Sequence, residues 1–315
     1  MFIDTHIDTL WAMKREEREF STRSEKGHVD LPRAQEADLL CGFFTGFPTE
    51  SHHVTEKMLK EWLVWTRNPE NKLVRIRSMN DLEKLEQRRR SQKEKEREIG
   101  AVLCLEGAAG IDSELNRLDI YYEIGLRSMG LTWNEENQFA TGQAQGNGRG
   151  LTAEGKNLVT RMEELGIIVD VSHLNDTSFW NLMDIVSKPV IASHSNVREL
   201  ADHPRNLTKE MVEAVQSTGG TIGINFYKAF LETDPEKAGI NSIIRMFEAV
   251  IDIADTKTVH VGADLDGCTL PPDLKDITDI PKVLDRVQEE LSLTNQDMER
   301  IRTGNIKRVM TKVWK

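Results

Sequence analysis

The sequence predicts an α/β fold, a (β/α)8 TIM barrel formed by residues 1–315 as a single domain. Eight short apolar runs alternate with segments of helical spacing, and no internal repeat or low-complexity linker interrupts the series. Such alternation builds a parallel sheet, and eight units can close it into a barrel. Polar residues also follow most of the runs. An open doubly wound sheet is the alternative fold, but it gives no reason for polar residues at so many strand ends.

The clearest strand–helix–strand unit occupies residues 167–194. Its two β-branched runs end in His173 and His194. The segment between them has helical spacing behind a polar start at Asp176 and Thr177, which can cap a helix. Two parallel strands joined by one helix form a right-handed crossover. Both histidines are therefore expected at the carboxyl ends of neighbouring strands, where barrels of this class place their active sites.

The other strands are predicted from apolar or β-branched runs bounded by polar or turn residues. In chain order, the eight predicted strands are 1–8, 39–47, 101–105, 126–133, 167–173, 189–194, 221–225 and 258–263. Helical spacing follows the second strand up to residue 98. Further helices are predicted at 113–123, 152–165, 175–187 and 208–217, after a cap at Asn241, and from 294 onward. A glycine-rich loop at 138–150 suits a mobile rim.

Composition and charge exclude several classes of function. The 315 residues are 38% hydrophobic and 30% charged, and the formal net charge of −11 disfavours binding to a nucleic-acid backbone. No apolar stretch is long enough for a membrane span, and residues 1–15 contain none suited to a signal peptide. The three cysteines are far apart and are expected to be free thiols. We therefore expect a cytoplasmic protein that binds neither nucleic acid nor membrane.

Closing the barrel would bring histidines and carboxylates from five strand ends to one rim. The set consists of His6 and Asp8 (strand one), Glu106 (three), His173 (five), His194 (six) and Asp264 (eight). His6 and Asp8 alternate along a strand, so they share a face. The set suits two divalent ions, with Glu106 as the bridge and Asp264 as a proton shuttle. Ordinary polar strand caps are the alternative interpretation.

Several ordered segments resemble the membrane (renal-type) dipeptidase family, which are zinc metallopeptidases of the amidohydrolase superfamily. The segments, which run in order over nearly the whole chain, are Asp4-Thr5-His6-Ile7-Asp8, Val29-Asp30-Leu31-Pro32-Arg33, Leu105-Glu106-Gly107, Asp170-Val171-Ser172-His173, Ser193-His194-Ser195, Pro204-Arg205-Asn206, Asn225-Phe226-Tyr227 and Gly262-Ala263-Asp264-Leu265-Asp266-Gly267. No single segment is decisive, but the ordered set is specific.

The resemblance implies a barrel of the metal-dependent hydrolase type that binds two zinc ions. His6, Asp8, Glu106, His173 and His194 match the family's metal ligands, with Glu106 bridging. Asp264 matches the acid/base residue and Arg205 the clamp for the substrate carboxylate, while Trp133 and Tyr227 are candidate substrate contacts. The implied reaction is hydrolysis of a dipeptide by a bridging hydroxide, with tolerance of a D-residue at the C-terminal position. The family also suggests a homodimer.

One position departs from the family pattern. Animal members carry a substrate-contacting histidine just after the fourth strand, whereas Trp133 stands there in this chain. An indole N–H can donate one hydrogen bond but cannot be protonated to stabilise an oxyanion. Two alternatives stay open, the first because other enzymes share this barrel and the second because of Trp133. One is another binuclear amidohydrolase, such as a lactonase or deaminase, and the other is a metal-binding scaffold without catalysis.

Overall fold

The polypeptide forms one parallel sheet that closes on itself. The structure is a computed structural model, and it describes residues 1–146 and 148–315. Within these residues every pairing between named strands is parallel. The described strands are β1 (Phe2–Ile7), β2 (Leu39–Gly46), β3 (Leu73–Arg75), β4 (Ile99–Glu106), β5 (Leu126–Gly130), β6 (Ile168–Asp170), β7 (Ile191–Ala192), β8 (Thr221–Ile224) and β9 (Val259–Val261).

Eight of these strands form a closed ring in the order β1, β2, β4, β5, β6, β7, β8 and β9. The ring closes where Asp4 of β1 pairs with Val261 of β9. Strand β2 lies on the other side of β1. It pairs with β4 from Cys41 to Gly46, so β3 does not belong to the ring. The (β/α)8 barrel predicted from the sequence is therefore confirmed.

Strand β3 lies outside the ring and is absent from the sequence prediction. Strand β2 occupies one edge of β4 along residues 100–105. Strands β3 and β5 therefore share the other edge, with β3 beside residues 99–101 and β5 beside residues 103–106. A run of three half-buried residues is too short to show a strand period, which explains why sequence patterning missed it.

Helices pack around the ring. The α-helices of the described residues are α1 (Thr9–Glu16), α2 (Leu31–Glu36), α3 (His52–Arg67), α4 (Met79–Arg89), α5 (Asn116–Ile124), α6 (Ala153–Leu165), α7 (Asp176–Met183), α8 (Lys209–Ser217), α9 (Lys228–Leu231), α10 (Ile240–Ile253), α11 (Ile280–Glu290), α12 (Asn295–Glu299) and α13 (Asn305–Val313). A π-helical turn, Arg300–Gly304, joins α12 to α13. Residue 147, within the predicted loop 138–150, lies outside the described residues.

Helix starts follow local capping chemistry. Thr152 and Thr208 cap α6 and α8 by accepting a hydrogen bond from a backbone N–H three residues on, as the predicted bounds imply. The predicted cap at Asn241 is wrong, since α10 begins after Gly239. The cap of α7 is Asn175 rather than Asp176 or Thr177. The amide oxygen of Asn175 accepts from the Ser178 N–H at 2.7 Å and so fixes that start.

Four predicted strands and one predicted helix end at least two residues earlier than their patterns suggested. Strand β6 stops at Asp170 and β9 at Val261. Strand β5 stops at Gly130, so Trp133 lies in the following loop. The run 189–194 forms only a two-residue strand, Ile191–Ala192. Helix α7 stops at Met183 rather than at residue 187. After these strands the chain leaves the sheet and turns toward the carboxyl end of the barrel. Polar side chains of the predicted site lie in these turns.

Helix α13 closes the amino end of the barrel. Side chains of this C-terminal segment donate hydrogen bonds to backbone carbonyls near the starts of two strands. Asn305 Nδ2 donates to Val259 O at 2.7 Å, and Trp314 Nε1 donates to Arg127 O at 3.2 Å. The apolar stripe of α13 is buried in a cluster with strand residues such as Ile3 and Ile168. The opposite, carboxyl end of the ring is left for the polar residues that follow the strands.

Candidate metal centre

The six predicted polar residues meet at the carboxyl end of the barrel. Glu106 is the last residue of β4 and His6 lies one residue before the end of β1. Asp8, His173, His194 and Asp264 follow the ends of β1, β6, β7 and β9. Five of the six are buried, and the Glu106 side chain is only 10% exposed. The closed ring thus brings together groups that are up to 258 residues apart in the chain, from His6 to Asp264.

One carboxylate oxygen contacts three imidazole rings. Glu106 Oε1 lies 2.7 Å from His173 Nε2 and 3.5 Å from His194 Nε2. The same oxygen lies 3.5 Å from His6 Nε2, and His6 Nε2 lies 3.4 Å from Asp8 Oδ2. Besides the group His6, Asp170 and His194, two groups of candidate metal ligands result, His6 with Asp8 and Glu106, and His173 with His194 and Glu106, each with ligand atoms within 4.8 Å of one another. Glu106 belongs to both groups.

Hydrogen bonds outside the cluster fix which ring nitrogen carries the proton. Asn134 Oδ1, which can only accept, lies 2.7 Å from His173 Nδ1. Ser193 Oγ donates to Asp170 Oδ2 at 2.5 Å and therefore accepts from His194 Nδ1 at 2.8 Å. Both histidines are protonated at Nδ1, so each presents a lone pair at Nε2. This is the tautomer that a metal ligand needs.

The cluster has the chemistry of a cation site. The Nε2 atoms of His173 and His194 lie 2.9 Å apart, and both face a carboxylate oxygen. Burial, with Arg205 and His6 nearby, lowers the pKa of both rings well below the usual value. Asp8 Oδ1 is buried without a hydrogen-bond partner among the described residues. Imidazole nitrogens and carboxylate oxygens that converge in this way fit a metal ion, and nitrogen with carboxylate oxygen is a donor set that zinc accepts.

Burial also shapes the charge of the carboxyl groups. It raises the pKa of Asp8, Glu106 and Asp264, although the charge of His6 opposes the effect at each. Burial alone would lower the pKa of His6, but the carboxylates of Asp8 and Glu106 overcome it and raise that pKa to about 10. Burial therefore disfavours uncompensated negative charge on these three carboxyl groups, and a bound cation would supply the missing opposite charge.

Two site residues have a left-handed backbone. His173 has φ +70° and Asp264 has φ +59°, a region that non-glycine residues rarely adopt. Such conformations cost on the order of 1–3 kcal/mol and persist where the surroundings fix them. Both residues lie just past the end of a strand, so the turn redirects each side chain from the sheet into the centre.

Asp264 and Asp266 have different surroundings. Asp264 Oδ2 accepts a hydrogen bond from Asn225 Nδ2 at 3.1 Å, and its side chain lines the cavity above the cluster. Asp266 Oδ2 accepts from Thr9 Oγ1 at 2.6 Å and from Arg18 Nη2 at 2.7 Å. Asp266 therefore anchors the loop after β9 to the segment after β1, and only Asp264 is free to act in the cavity.

Arg205 reaches the centre from the loop after β7. It is 4% exposed, and its Nη2 lies 2.8 Å from His194 Nε2. Burial lowers its pKa to about 10, against the attraction of Glu106 and Asp264. No carboxylate in residues 1–146 or 148–315 lies within ion-pair distance of it, and Arg205 Nε has no partner there. Arg205 therefore forms no surface ion pair within these residues.

A cavity of about 500 Å³ opens above the cluster. Trp133 and Tyr227, the other predicted substrate contacts, both line it. All the sequence-predicted site residues except His6 line this cavity, and His6 lies beside Glu106 in the cluster. Sequence patterning missed three supporting residues, Asn134, Asp170 and Ser193. What could have pointed to them in the sequence is their place beside site residues. Asn134 follows Trp133, Ser193 precedes His194, and Asp170 stands in the segment that ends at His173.

A sequence model of the family described as membrane dipeptidase (peptidase family M19) matches residues 1–315. The chain belongs to this family. Membership confirms the predicted enzyme class, a metallo-dipeptidase, and implies a bound metal for the cluster described above.

Relatives of this dipeptidase include proteins without an assigned activity. It is 33% identical over 225 residues to an uncharacterized protein in the pqqA 5'region of Klebsiella pneumoniae, covering 69% of this chain and 83% of the relative. It is 32% identical over 220 residues to an uncharacterized dipeptidase of Schizosaccharomyces pombe, covering 68% of this chain and 53% of the relative.

Solved structures share the fold of the dipeptidase. A metallopeptidase from Rhodobacter sphaeroides, liganded with a phosphinate mimic of the dipeptide L-Ala-D-Ala, superimposes with a TM-score of 0.89. The two chains are 24% identical, and the match covers 99% of each. In the part of this chain that the structure describes, no helix is long and apolar enough to cross a bilayer.

Proposed function

We propose that this chain hydrolyses the amide bond of dipeptides with two zinc ions and accepts a D-residue at the C-terminal position. The observation that supports this best is the Glu106 carboxylate, which two groups of ligand atoms share beside the buried Arg205. The phosphinate mimic of L-Ala-D-Ala bound to the Rhodobacter sphaeroides metallopeptidase supports the stereochemistry.

In this proposal His6 and Asp8 hold one ion, His173 and His194 hold the other, and Glu106 bridges them. Two such ions would polarise the amide carbonyl and lower the pKa of a water molecule between them. The protein's part is to keep the ligand atoms converged. The Nδ1 hydrogen bonds of His173 and His194 do this by fixing the rings with their Nε2 atoms toward Glu106.

Arg205 would hold the C-terminal carboxylate of the substrate. Its guanidinium is buried, has no carboxylate partner within the described residues, and points at the cluster through Nη2. The planar fork of arginine matches a carboxylate bidentately, and a shielded pair of this kind is strong. Because the fork would lie next to the metal ligands, only a substrate whose carboxylate is one residue beyond the scissile amide would fit.

Asp264 would move the proton. Burial, together with the nearby carboxylates of Asp8 and Glu106, raises its pKa well above the usual range, while the hydrogen bond from Asn225 opposes the rise. A carboxyl group with a raised pKa can take a proton from the attacking water and return it to the departing amine.

The test of this proposal compares wild type and Arg205→Ala on dipeptides with free and amidated C-termini. Arg205→Ala should lower kcat/KM on free dipeptides by roughly 2–4 kcal/mol in transition-state terms, because it removes a charge-assisted pair in a shielded site. Amidation should cost wild type a similar amount and the variant much less, since both changes remove one interaction. Arg205→Lys, which keeps the charge but lacks the fork, should fall between the two.

Equal amidation penalties in wild type and Arg205→Ala would show that Arg205 does not bind the carboxylate. Absence of turnover on any L-L or L-D dipeptide by metal-replete wild type would overturn the proposed reaction itself. Running both comparisons on one protein preparation separates a wrong residue role from a wrong reaction.

A further inference from the structure

Three aromatic side chains form a continuous wall on one side of the cavity. The rings of Trp11 and Phe47 have centroids 6.0 Å apart, and those of Phe47 and Trp133 are 5.3 Å apart. Trp133 continues to the metal cluster, with its ring centroid 6.2 Å from that of His173. All three line the cavity, and Trp133 is 42% exposed there. We call Trp11, Phe47 and Trp133 the aromatic wall.

Phe47, the middle ring of the aromatic wall, lies across the barrel mouth from Arg205. Trp11, Phe47 and Trp133 follow β1, β2 and β5, whereas Arg205 follows β7. Around the ring, β2 is four strands from β7 in either direction, through β8, β9 and β1 or through β6, β5 and β4. Phe47 and Arg205 therefore extend from opposite sides of the ring, with Glu106, His173 and His194 between them.

The wall offers an apolar surface without a charged group of its own. Asn134, the polar neighbour of Trp133 in the cavity lining, has its amide oxygen engaged by His173 and by Gln143 Nε2 at 3.0 Å. Arg15 stacks on Trp11, 4.1 Å from the ring centre, but does not line the cavity. A carboxylate that entered here would lose hydration without a partner among the three rings, whereas an apolar side chain would gain contact area.

We propose that the aromatic wall binds the side chain of the substrate's N-terminal residue and selects dipeptides whose first residue is aromatic or large and apolar. This inference rests on the proposed function, in which Arg205 holds the carboxylate and the metal centre holds the scissile carbonyl. That carbonyl belongs to the N-terminal residue, so its side chain extends away from Arg205 toward the wall. Ring spacings of 4.5–7 Å are those at which aromatic groups attract one another, and another ring can join the series.

The test measures the ratio of kcat/KM for L-Phe-D-Ala to that for L-Ala-D-Ala. Wild type should favour the phenylalanyl substrate about 10- to 100-fold, the range that added apolar contact supplies in a pocket. Trp133→Ala should lower this ratio about tenfold, and Trp133→Phe should keep most of it. Trp180→Ala is the matched control, because Trp180 is 41% exposed on α7 and does not line the cavity.

A wild-type ratio near one would overturn the inference without any variant being needed. An unchanged ratio in Trp133→Ala, or an equal loss in Trp180→Ala, would do the same for the assignment to the wall. Calorimetry of phosphinate mimics of L-Phe-D-Ala and L-Ala-D-Ala binding to the zinc-loaded protein distinguishes failure of this inference from failure of the proposed function. Equal affinity contradicts the wall alone, and no binding of either contradicts the proposed function as well.

Discussion

The hydroxyl of Ser193 lies between Asp170 and two imidazole rings. Its proton goes to Asp170 Oδ2, so its lone pairs face His194 Nδ1 at 2.8 Å and His6 Nδ1 at 3.4 Å. Asp170 in turn accepts the N–H groups of Ser172 and Ser193. One hydroxyl can thereby orient a ligand from each of the two proposed metal sites, although Asp170 itself forms a possible ligand group with these rings.

Replacing Ser193 by alanine should weaken metal binding while leaving the ligand atoms in place. We expect a loss of affinity on the order of 10- to 100-fold, the usual effect of removing a hydrogen bond that orients a metal-binding histidine. Competition of the variant and wild type against a chelator, read by metal content, measures it. Ser217→Ala, at the end of α8 on the surface, is the control. Equal affinities of Ser193→Ala and wild type would show that the rings are held by packing alone.

Asp264→Asn should separate proton transfer from metal binding. Asparagine keeps the size of the side chain and can still accept from Asn225, but it cannot exchange a proton. We expect turnover to fall by a factor on the order of 10² or more with metal content retained, as for loss of a positioned acid/base group. Steady-state kinetics with elemental analysis checks both quantities. Near wild-type turnover would place the proton shuttle elsewhere, but not at Asp266, which Arg18 and Thr9 engage.

Among individual residues, the sequence predicted those whose side chains commonly bind metals or transfer protons. His6, Asp8, Glu106, His173, His194 and Asp264 are metal-ligand or acid/base types at the ends of apolar runs, and they converge as expected. Ser193, Asp170 and Asn134 are ordinary polar residues. Their supporting contacts depend on how β6 lies beside β7 and on the path of the loop after β5, and no local pattern encodes either.

Elements β7, β8 and β9 approach one another unusually closely near the centre. A Cβ atom added at Gly262, just after β9, would lie 1.8 Å from Ser193 O, and one at Gly223 of β8 would lie 2.2 Å from the same oxygen. Thr5 Oγ1 also donates to that carbonyl at 2.6 Å. The backbone beneath His194 is thus enclosed by glycines from two neighbouring strands, which lets the ring close tightly below the metal centre.

Gly262→Ala should therefore destabilise the barrel. Overpacking of this kind costs about 1–3 kcal/mol in the free energy of unfolding, and here the obstacle is a backbone oxygen that cannot rotate away. Denaturant unfolding of the metal-free protein measures the change. Gly304→Ala is the control, since the nearest atom to its added Cβ lies 3.5 Å away. Equal stabilities of Gly262→Ala and Gly304→Ala would mean that strands β7 and β9 can move apart freely.

Among helices and strands, sequence patterns predicted the bounds of elements that are long enough for the hydrophobic period to repeat. Helices α6 and α8 begin at their threonine caps as predicted. The patterns failed at β3, which has three residues, and overextended β7, which has two. Short barrel strands carry too few residues to show a period, and their apolar runs continue past the last ladder hydrogen bond into the turns that carry His173 and His194.

In the whole molecule, the residues that close the barrel and the residues of the proposed metal centre lie at opposite ends of the barrel axis. Helix α13 covers the amino end, and the metal cluster occupies the carboxyl end. His260, in the middle of β9, is fully buried and contacts Thr5 Oγ1 through Nε2 at 2.9 Å. Burial, with Arg308 nearby, lowers its pKa to about 3, so the folded barrel keeps this imidazole neutral where an unfolded chain would protonate it.

Acid should therefore weaken the fold in part through His260. Between pH 6.5 and about 3 the unfolded chain binds the proton and the folded chain does not, so the free energy of unfolding rises with pH across this window and falls on acidification. One such group contributes up to about 1.4 kcal/mol per pH unit. His260→Gln should flatten the dependence of the urea midpoint on pH between 6.5 and 4.5. Parallel curves for variant and wild type would show that His260 does not titrate on unfolding.

We propose that one carboxylate, Glu106, joins two metal sites in a single centre, and a count of the bound metal is the decisive test. Elemental analysis of zinc-replete wild type should give two ions per chain, because the ligands exceed what one four-coordinate zinc can use. Glu106→Gln should lose most of both ions together, since a bridge that is lost is lost to both sites. One ion or none in wild type, or two ions retained with full dipeptidase activity in Glu106→Gln, would contradict the account.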